Sequence, residues 1–324
     1  MFESIFKKEL HDFIDLKRAT GYSYGTSAEY LLGKLDFFFI EKDIKKKEIG
    51  KEIIEEWCRK KSYESESSRN NRVCMMRVFT TYLRDIGIRA YIPPKGIYKH
   101  PPKYNAHIYT NDELKHFFEA TDNCSEVTSE CPYRHLIMPI FFRLLYSSGF
   151  RVSELRLLKI KNFNLEESYI IIRNGKNQKD RIVPVDPELT SKCVRLKEQI
   201  HQESTDDEYF FMFQKGVPMT LGNVYKNFRR FLEKAGISHT GNGPRVHDFR
   251  HTFCVNLLKK WVMEEKDLLV YLPYMKTVLG HESFNETAYY LKLTAELYPQ
   301  LILRLERVYP DMIVQEDIGY EEFY

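Results

Sequence analysis

Apolar positions recur at helical spacing through most of the chain and at strand spacing in one short region. Phe2, Phe6, Leu10 and Phe13 predict a first helix. Thr26 and Glu29 form a capping-box pattern ahead of Leu31, Leu35 and Phe38 on one face. Further helices are predicted over 51–60 and 67–86, the second with Val73, Met76, Thr80 and Leu83 as its inner stripe. The stretch 91–108 holds several prolines and lysines and cannot be a helix interior. Thr110 to Glu113 is a second capping-box pattern, opening a helix with Leu114, Phe117 and Phe118.

Two β-branched runs, 169–173 and 181–185, flank an Asn-, Gly- and Asp-bearing turn and predict a β-hairpin with Lys176 at its tip. Asp186 and Pro187 then suit an N-cap and first helical residue. A helix over 220–235 should stop at Gly236, and 246–307 is again mostly helical. The expected fold is mainly α with a small antiparallel β-sheet. It divides into a helical domain over 1–90, a basic linker over 91–108, a second domain over 109–307 and a tail over 308–324.

Composition narrows the class. An apolar content of 43% in 324 residues, with 22 Phe and 22 Tyr, supplies packed cores and excludes a largely disordered chain. No apolar run approaches the ~20 residues of a membrane span. The start lacks an apolar signal core, so a cytoplasmic location is expected. The six cysteines have no CxxC spacing and are expected as free thiols. Cys124, Cys131 and His135 are not spaced as a zinc site, so no metal or other cofactor is expected.

The net charge of +3 hides an asymmetry: residues 1–108 carry +6, and the tail carries −5. Arg69, Arg72, Arg77 and Arg84 lie in a stretch, 67–84, that contains no acid. They are candidate phosphate contacts for a polyanionic partner, against the plainer reading of a solvated basic face.

Four clusters carry candidate chemistry: Arg151-Val152-Ser153-Glu154-Leu155 after Gly149, Lys176 in the hairpin turn, His247-Asp248-Phe249-Arg250-His251, and Gly280-His281 with Tyr290 nine positions later. Each alone has a bland reading as a surface or core residue. In this order they resemble the tyrosine recombinases, the phage integrase family. The first third is similar to that family's helical, SAM-like core-binding domain, and 109–307 to its integrase-type catalytic domain. The departures are mild: the hairpin has GKN where GKG is common, and the segment between His251 and His281 is long, as in transposon-encoded members.

The resemblance implies a metal-independent DNA strand transferase, clamped around duplex DNA and working as a homo-tetramer in the synaptic complex, with or without an accessory recombinase or directionality factor. It implies Arg151 and Arg250 on the phosphate's non-bridging oxygens, where planar, permanently charged guanidiniums suit developing charge. Tyr290 is the implied nucleophile and His247 its base, His281 a donor to the phosphate, and Lys176 the acid for the leaving 5′ oxygen. His251 is an accessory position. Integration or excision of a mobile element is the expected role. A type IB topoisomerase-like relaxing enzyme and a catalytically idle DNA-binding protein remain the alternatives.

Overall fold

The computed structural model describes residues 2–22, 24–96, 105–124, 131–173, 175, 179–241 and 243–299. Lys176, residues 97–104 of the expected linker and the tail 308–324 lie outside them. The chain divides into two compact units, with the boundary between residues 104 and 105.

The first unit is helical: α1 (Lys7–Ala19), α2 (Thr26–Glu41), α3 (Lys51–Cys58) and α4 (Glu66–Asp85). Its core joins Phe6, Leu10 and Phe13 to Leu32, Leu35, Phe39, Trp57, Val73, Met76, Phe79 and Leu83. The Phe79 ring meets those of Phe13, Phe39 and Phe6 at 5.4, 6.4 and 6.5 Å. The expected stripe of α4 is buried throughout.

Two expectations for α2 change. Its N-cap is Gly25, without a side-chain cap, and Thr26 is already helical. The carboxylate of Glu29 is taken instead by Arg18 of α1, which also donates to the Tyr24 carbonyl. The buried face is Leu32, Leu35 and Phe39, one residue round from the predicted Leu31, Leu35 and Phe38. Asp36 on that face accepts the backbone N–H groups of Glu3 and Ser4 at 2.8 and 3.0 Å, which fixes the incoming chain.

The second unit begins with α5 (Asn111–Asp122), α6 (Arg134–Ser148) and the short α7 (Val152–Arg156). The capping box at Thr110 and Glu113 is formed. Strands β1 (Phe163–Asn164), β2 (Tyr169–Ile172) and β3 (Arg181–Pro184) make an antiparallel sheet in that order, with Ile170 opposite Val183 and Ile172 opposite Arg181. Asp186 caps α8 (Pro187–Ile200) through the N–H groups of Glu188 and Leu189. A two-stranded sheet, β4 (Met212–Gln214) with β5 (Val217–Pro218), was not foreseen. Strands of two or three residues are too short to display an alternation. Then come α9 (Leu221–Lys234), α10 (Asp248–Met263), α11 (Leu268–Leu279) and α12 (Phe284–Leu297).

A cluster of Phe117, Phe142, Phe228, Phe231 and Phe249 ties α5, α6, α9 and α10 together. Leu258, Leu272, Met275 and Leu291 pack α10 to α12 into a neighbouring cluster that contains Tyr290. Among the described residues no helix is long and apolar enough to cross a membrane.

Candidate active site

Helices α6 and α11 both end on left-handed glycines, Gly149 at φ 62° and Gly280 at φ 64°. Such an ending terminates a helix and leaves its last carbonyls, which carry partial negative charge, free for cations. Three arginines take them. Arg250 donates to Gly149 O at 2.6 Å and to Leu279 O at 2.7 Å. Arg151 donates to Gly280 O at 3.2 Å, and Arg181 to Val278 O at 2.7 Å.

Arg151 is the N-cap of α7, and both its backbone N–H and its Nη1 bond to Glu154, at 2.9 and 3.0 Å. Arg181 forks onto the same carboxylate at 2.9 and 2.7 Å. Burial pushes the Glu154 carboxyl up, but the hydrogen bonds and charge of Arg181, with the charge of Arg151, more than reverse this and hold it below the usual carboxylate range. Burial, then repulsion from Arg250, pulls Arg151 below the ordinary guanidinium value. Among the described residues Glu154 is the one carboxylate bonded to this trio. The excess positive charge sits in low dielectric, with Arg250 only 2% exposed, so an anion is favoured there.

Around the arginines stand the histidines. His247 precedes α10 and keeps an exposed edge. Packed protein atoms, then the charges of His251, Arg250 and Arg151, hold its imidazole well below the ordinary value. The cations are the firmer cause, because solvent reaches the ring. His251, one turn on, meets His247 edge-on at 4.8 Å, and burial with the Arg250 charge lowers it to about 4. Both rings are therefore neutral near pH 7, the form that accepts a proton.

His281 bonds Thr287 Oγ1 through Nδ1 at 2.9 Å, and its ring lies parallel to that of Tyr290, 5.8 Å away. Tyr290 is 3% exposed. Burial, then the neighbouring Cys254 sulfur, raises its phenol well above the ordinary value, against the opposing charge of Arg250. Tyr289 is less buried, and the His251 ring lies near both tyrosines, 5.6 Å from Tyr290 and 6.0 Å from Tyr289 between ring centres. The structure thus brings together Arg151, His247, Arg250, His251, His281 and Tyr290. Lys176 lies outside the described residues.

The α4 arginines divide. Arg72 is 4% exposed, with its guanidinium on Glu64 at 2.7 and 2.9 Å and over the Trp57 ring. Arg69 donates to Cys58 O, and Arg77 to the carbonyls of Pro93 and Pro94. The acids absent from 67–84 are supplied just upstream, by Glu64 and Glu66. Arg72 therefore serves the fold, as a buried ion pair, and is not part of a solvated basic face either. Arg84 is exposed.

Sequence reasoning gave no role to Glu154, Arg181, Cys254 or Thr287. For Arg181 a signal existed: Val183 and Val185 are inward positions of a two-residue period, which places Arg181 inward and leaves Ile182 out.

Comparison with known proteins identifies the family. The model of the phage integrase family matches residues 108–296. The integrase/recombinase y4rB of Sinorhizobium fredii is 27% identical over 317 residues, covering 95% of this chain and 99% of its own. The tyrosine recombinase XerA of Pyrococcus furiosus is 30% identical over 167 residues, 50% of this chain and 52% of its own. Among solved structures, the Tn1549 transposon integrase with transposon right end DNA superposes at a TM-score of 0.64, with 18% identity, over 91% of this chain and 99% of that one. The XerH site-specific recombinase does so at 0.59, with 21% identity, over 87% and 72%. At such identities the structural likeness establishes the fold, mainly α with small antiparallel sheets. The family match spans more than half of the chain, and with it this protein belongs to the phage integrase family, the tyrosine recombinases, enzymes of site-specific DNA recombination.

Proposed function

We propose that this protein cuts and rejoins duplex DNA through a 3′-phosphotyrosine on Tyr290, in the integration or excision of a mobile element. The observation that carries the reading is Tyr290, buried with its ring parallel to His281 and under the charge of Arg250, at a cluster of three arginines and one carboxylate. A scissile phosphate supplies the missing negative charge. Arg151 and Arg250 take its non-bridging oxygens, and losing either donor set lowers the rate by ~10²–10³.

The Tyr290 oxygen attacks phosphorus, and the bond to the 5′ oxygen breaks. The phenol proton passes to neutral His247, while Lys176 protonates the leaving 5′ oxygen. His281 steadies the phosphate. Rejoining runs the same steps backward, so the bond energy is kept in the phosphotyrosine. The high proton affinity of buried Tyr290 makes it a weak nucleophile before DNA arrives. Support for DNA as partner, and for a mobile element, comes from the neighbours: the Tn1549 integrase was solved with transposon end DNA and XerH with its difH substrate. The working unit is a homo-tetramer on paired sites, with or without a directionality factor.

The test uses nicked suicide duplexes built on the flanking repeats that the protein protects from nuclease. The wild type should give a denaturant-stable protein–DNA adduct, and Tyr290→Phe none. Binding without any adduct would leave a DNA-binding protein and overturn the reading.

A further inference from the structure

We propose that Arg181 is a positioning residue for strand cleavage: it holds Glu154, and through it Arg151, in register with the Gly280–His281 turn. The proposal rests on the recombinase reading above.

Arg181 opens β3, directly after the hairpin turn, and its side chain is 6% exposed. Its guanidinium reaches two segments of the site. Two nitrogens fork onto Glu154 of α7 at 2.9 and 2.7 Å, and Nε donates to Val278 O in the last turn of α11 at 2.7 Å. The contact continues past Val278. A Cβ on Gly280 would lie 3.1 Å from Cδ, Nε and Cζ of Arg181, so only glycine lets the turn lie this close. A third neighbour is the hairpin itself, because a Cβ on Gly175, the residue before Lys176, would lie 3.2 Å from Arg181 Nη1.

Arg151 has no independent anchor of comparable strength. Its backbone N–H and Nη1 are both held by Glu154, and its third bond goes to the Gly280 carbonyl. Arg181 touches both anchors. If it is lost, Glu154 keeps one cation instead of two in a buried place, and either swings onto Arg151 or takes up a proton. In both cases the Arg151 guanidinium leaves its place, and a displacement of about 1 Å in such a group lowers a rate by roughly 10²-fold. A lysine restores the charge without restoring the geometry, since an ammonium has no planar fork and cannot span Glu154 and Val278 O together.

A merely structural arginine would change stability and leave the chemical step alone. The test therefore compares full-length wild type, Arg181→Lys, Arg181→Met and Arg181→Met with Glu154→Gln, on the nicked duplexes described above. The readouts are melting temperature, Kd for one site, and the single-turnover adduct rate at saturating protein as a function of pH. Arg181→Lys should fold and bind as the wild type does while its adduct rate drops roughly 10²-fold.

In Arg181→Met the rate should also acquire a fall toward acid, as Glu154 without its second cation protonates more readily. Adding Glu154→Gln should remove that fall. The groups acting on Glu154 are Arg151 from its own helix and Arg181 from β3, with Arg250 of α10 acting on Arg151. His247, His251 and His281 are common to all four proteins, so their ionisations drop out of the comparison. A wild-type adduct rate for Arg181→Lys, or a loss for it that only mirrors weaker binding, would overturn the proposal. Absence of any adduct from the wild type would instead sink the Tyr290 reading, a separate result.

Discussion

A methyl group on Gly149 would sit 2.7 Å from Cδ1 of Phe253, at a φ of +62° that side chains rarely adopt. The Gly149 carbonyl is also an anchor of Arg250. Gly149→Ala should therefore lower the melting temperature and slow adduct formation by roughly 10²-fold, because Arg250 moves with its anchor. Gly236→Ala is the control: its φ is +69°, yet nothing lies within 4 Å of the added carbon. It should lose only about 1–2 kcal/mol from the left-handed strain, with the adduct rate unchanged. At this scale the sequence disclosed residues whose motifs are local: Arg151, His247, Arg250, His281 and Tyr290. It hid Arg181 and Glu154, whose meaning lies in bonds to residues 97 and 27 positions away.

Helix α4 carries a buried ion pair beside the candidate phosphate contacts, and substitutions of its arginines should separate stability from DNA binding. Arg72→Ala leaves Glu64 buried without its cation and should destabilise the protein by about 3–5 kcal/mol. The Arg72 hydrogen bond and charge hold the Glu64 carboxyl below its ordinary value. A depressed carboxyl contributes stability above its unfolded pKa and loses it as pH falls through the folded one. Urea titrations should thus show the gap between wild type and Arg72→Ala narrowing in acid. Arg84→Ala should leave stability within about 0.5 kcal/mol and reduce the salt slope of DNA binding by up to ~1. Arg77, already donating to two carbonyls, should change that slope less.

Long helices were legible because one apolar stripe spans several turns. The face of α2 was misplaced by one residue because Leu31-Leu32 and Phe37-Phe38-Phe39 offer adjacent apolar choices. The cap at Thr26 failed because Glu29 had a stronger partner, Arg18.

On the scale of the whole molecule, the basic balance of residues 1–108 and the excess of arginine in the second unit both favour a polyanion. The tail adds a different expectation. Residues 308–324 carry −5 yet include Met312, Ile313, Val314, Ile318, Tyr320, Phe323 and Tyr324, an apolar content suited to contact with a neighbouring subunit. Ending the chain after Arg307 should leave single-site binding intact and slow recombination between two sites. Full-rate recombination without the tail would remove that role.

The central claim is that Tyr290, adjacent to another tyrosine, forms the covalent bond to DNA. Adjacent residues on a helix point about 100° apart, so one of the pair faces Arg250. Peptide mass spectrometry of the trapped, nuclease-trimmed adduct tests this directly. A nucleotide on Tyr290, with adduct retained in Tyr289→Phe, is the predicted result; a nucleotide on Tyr289 would contradict the account.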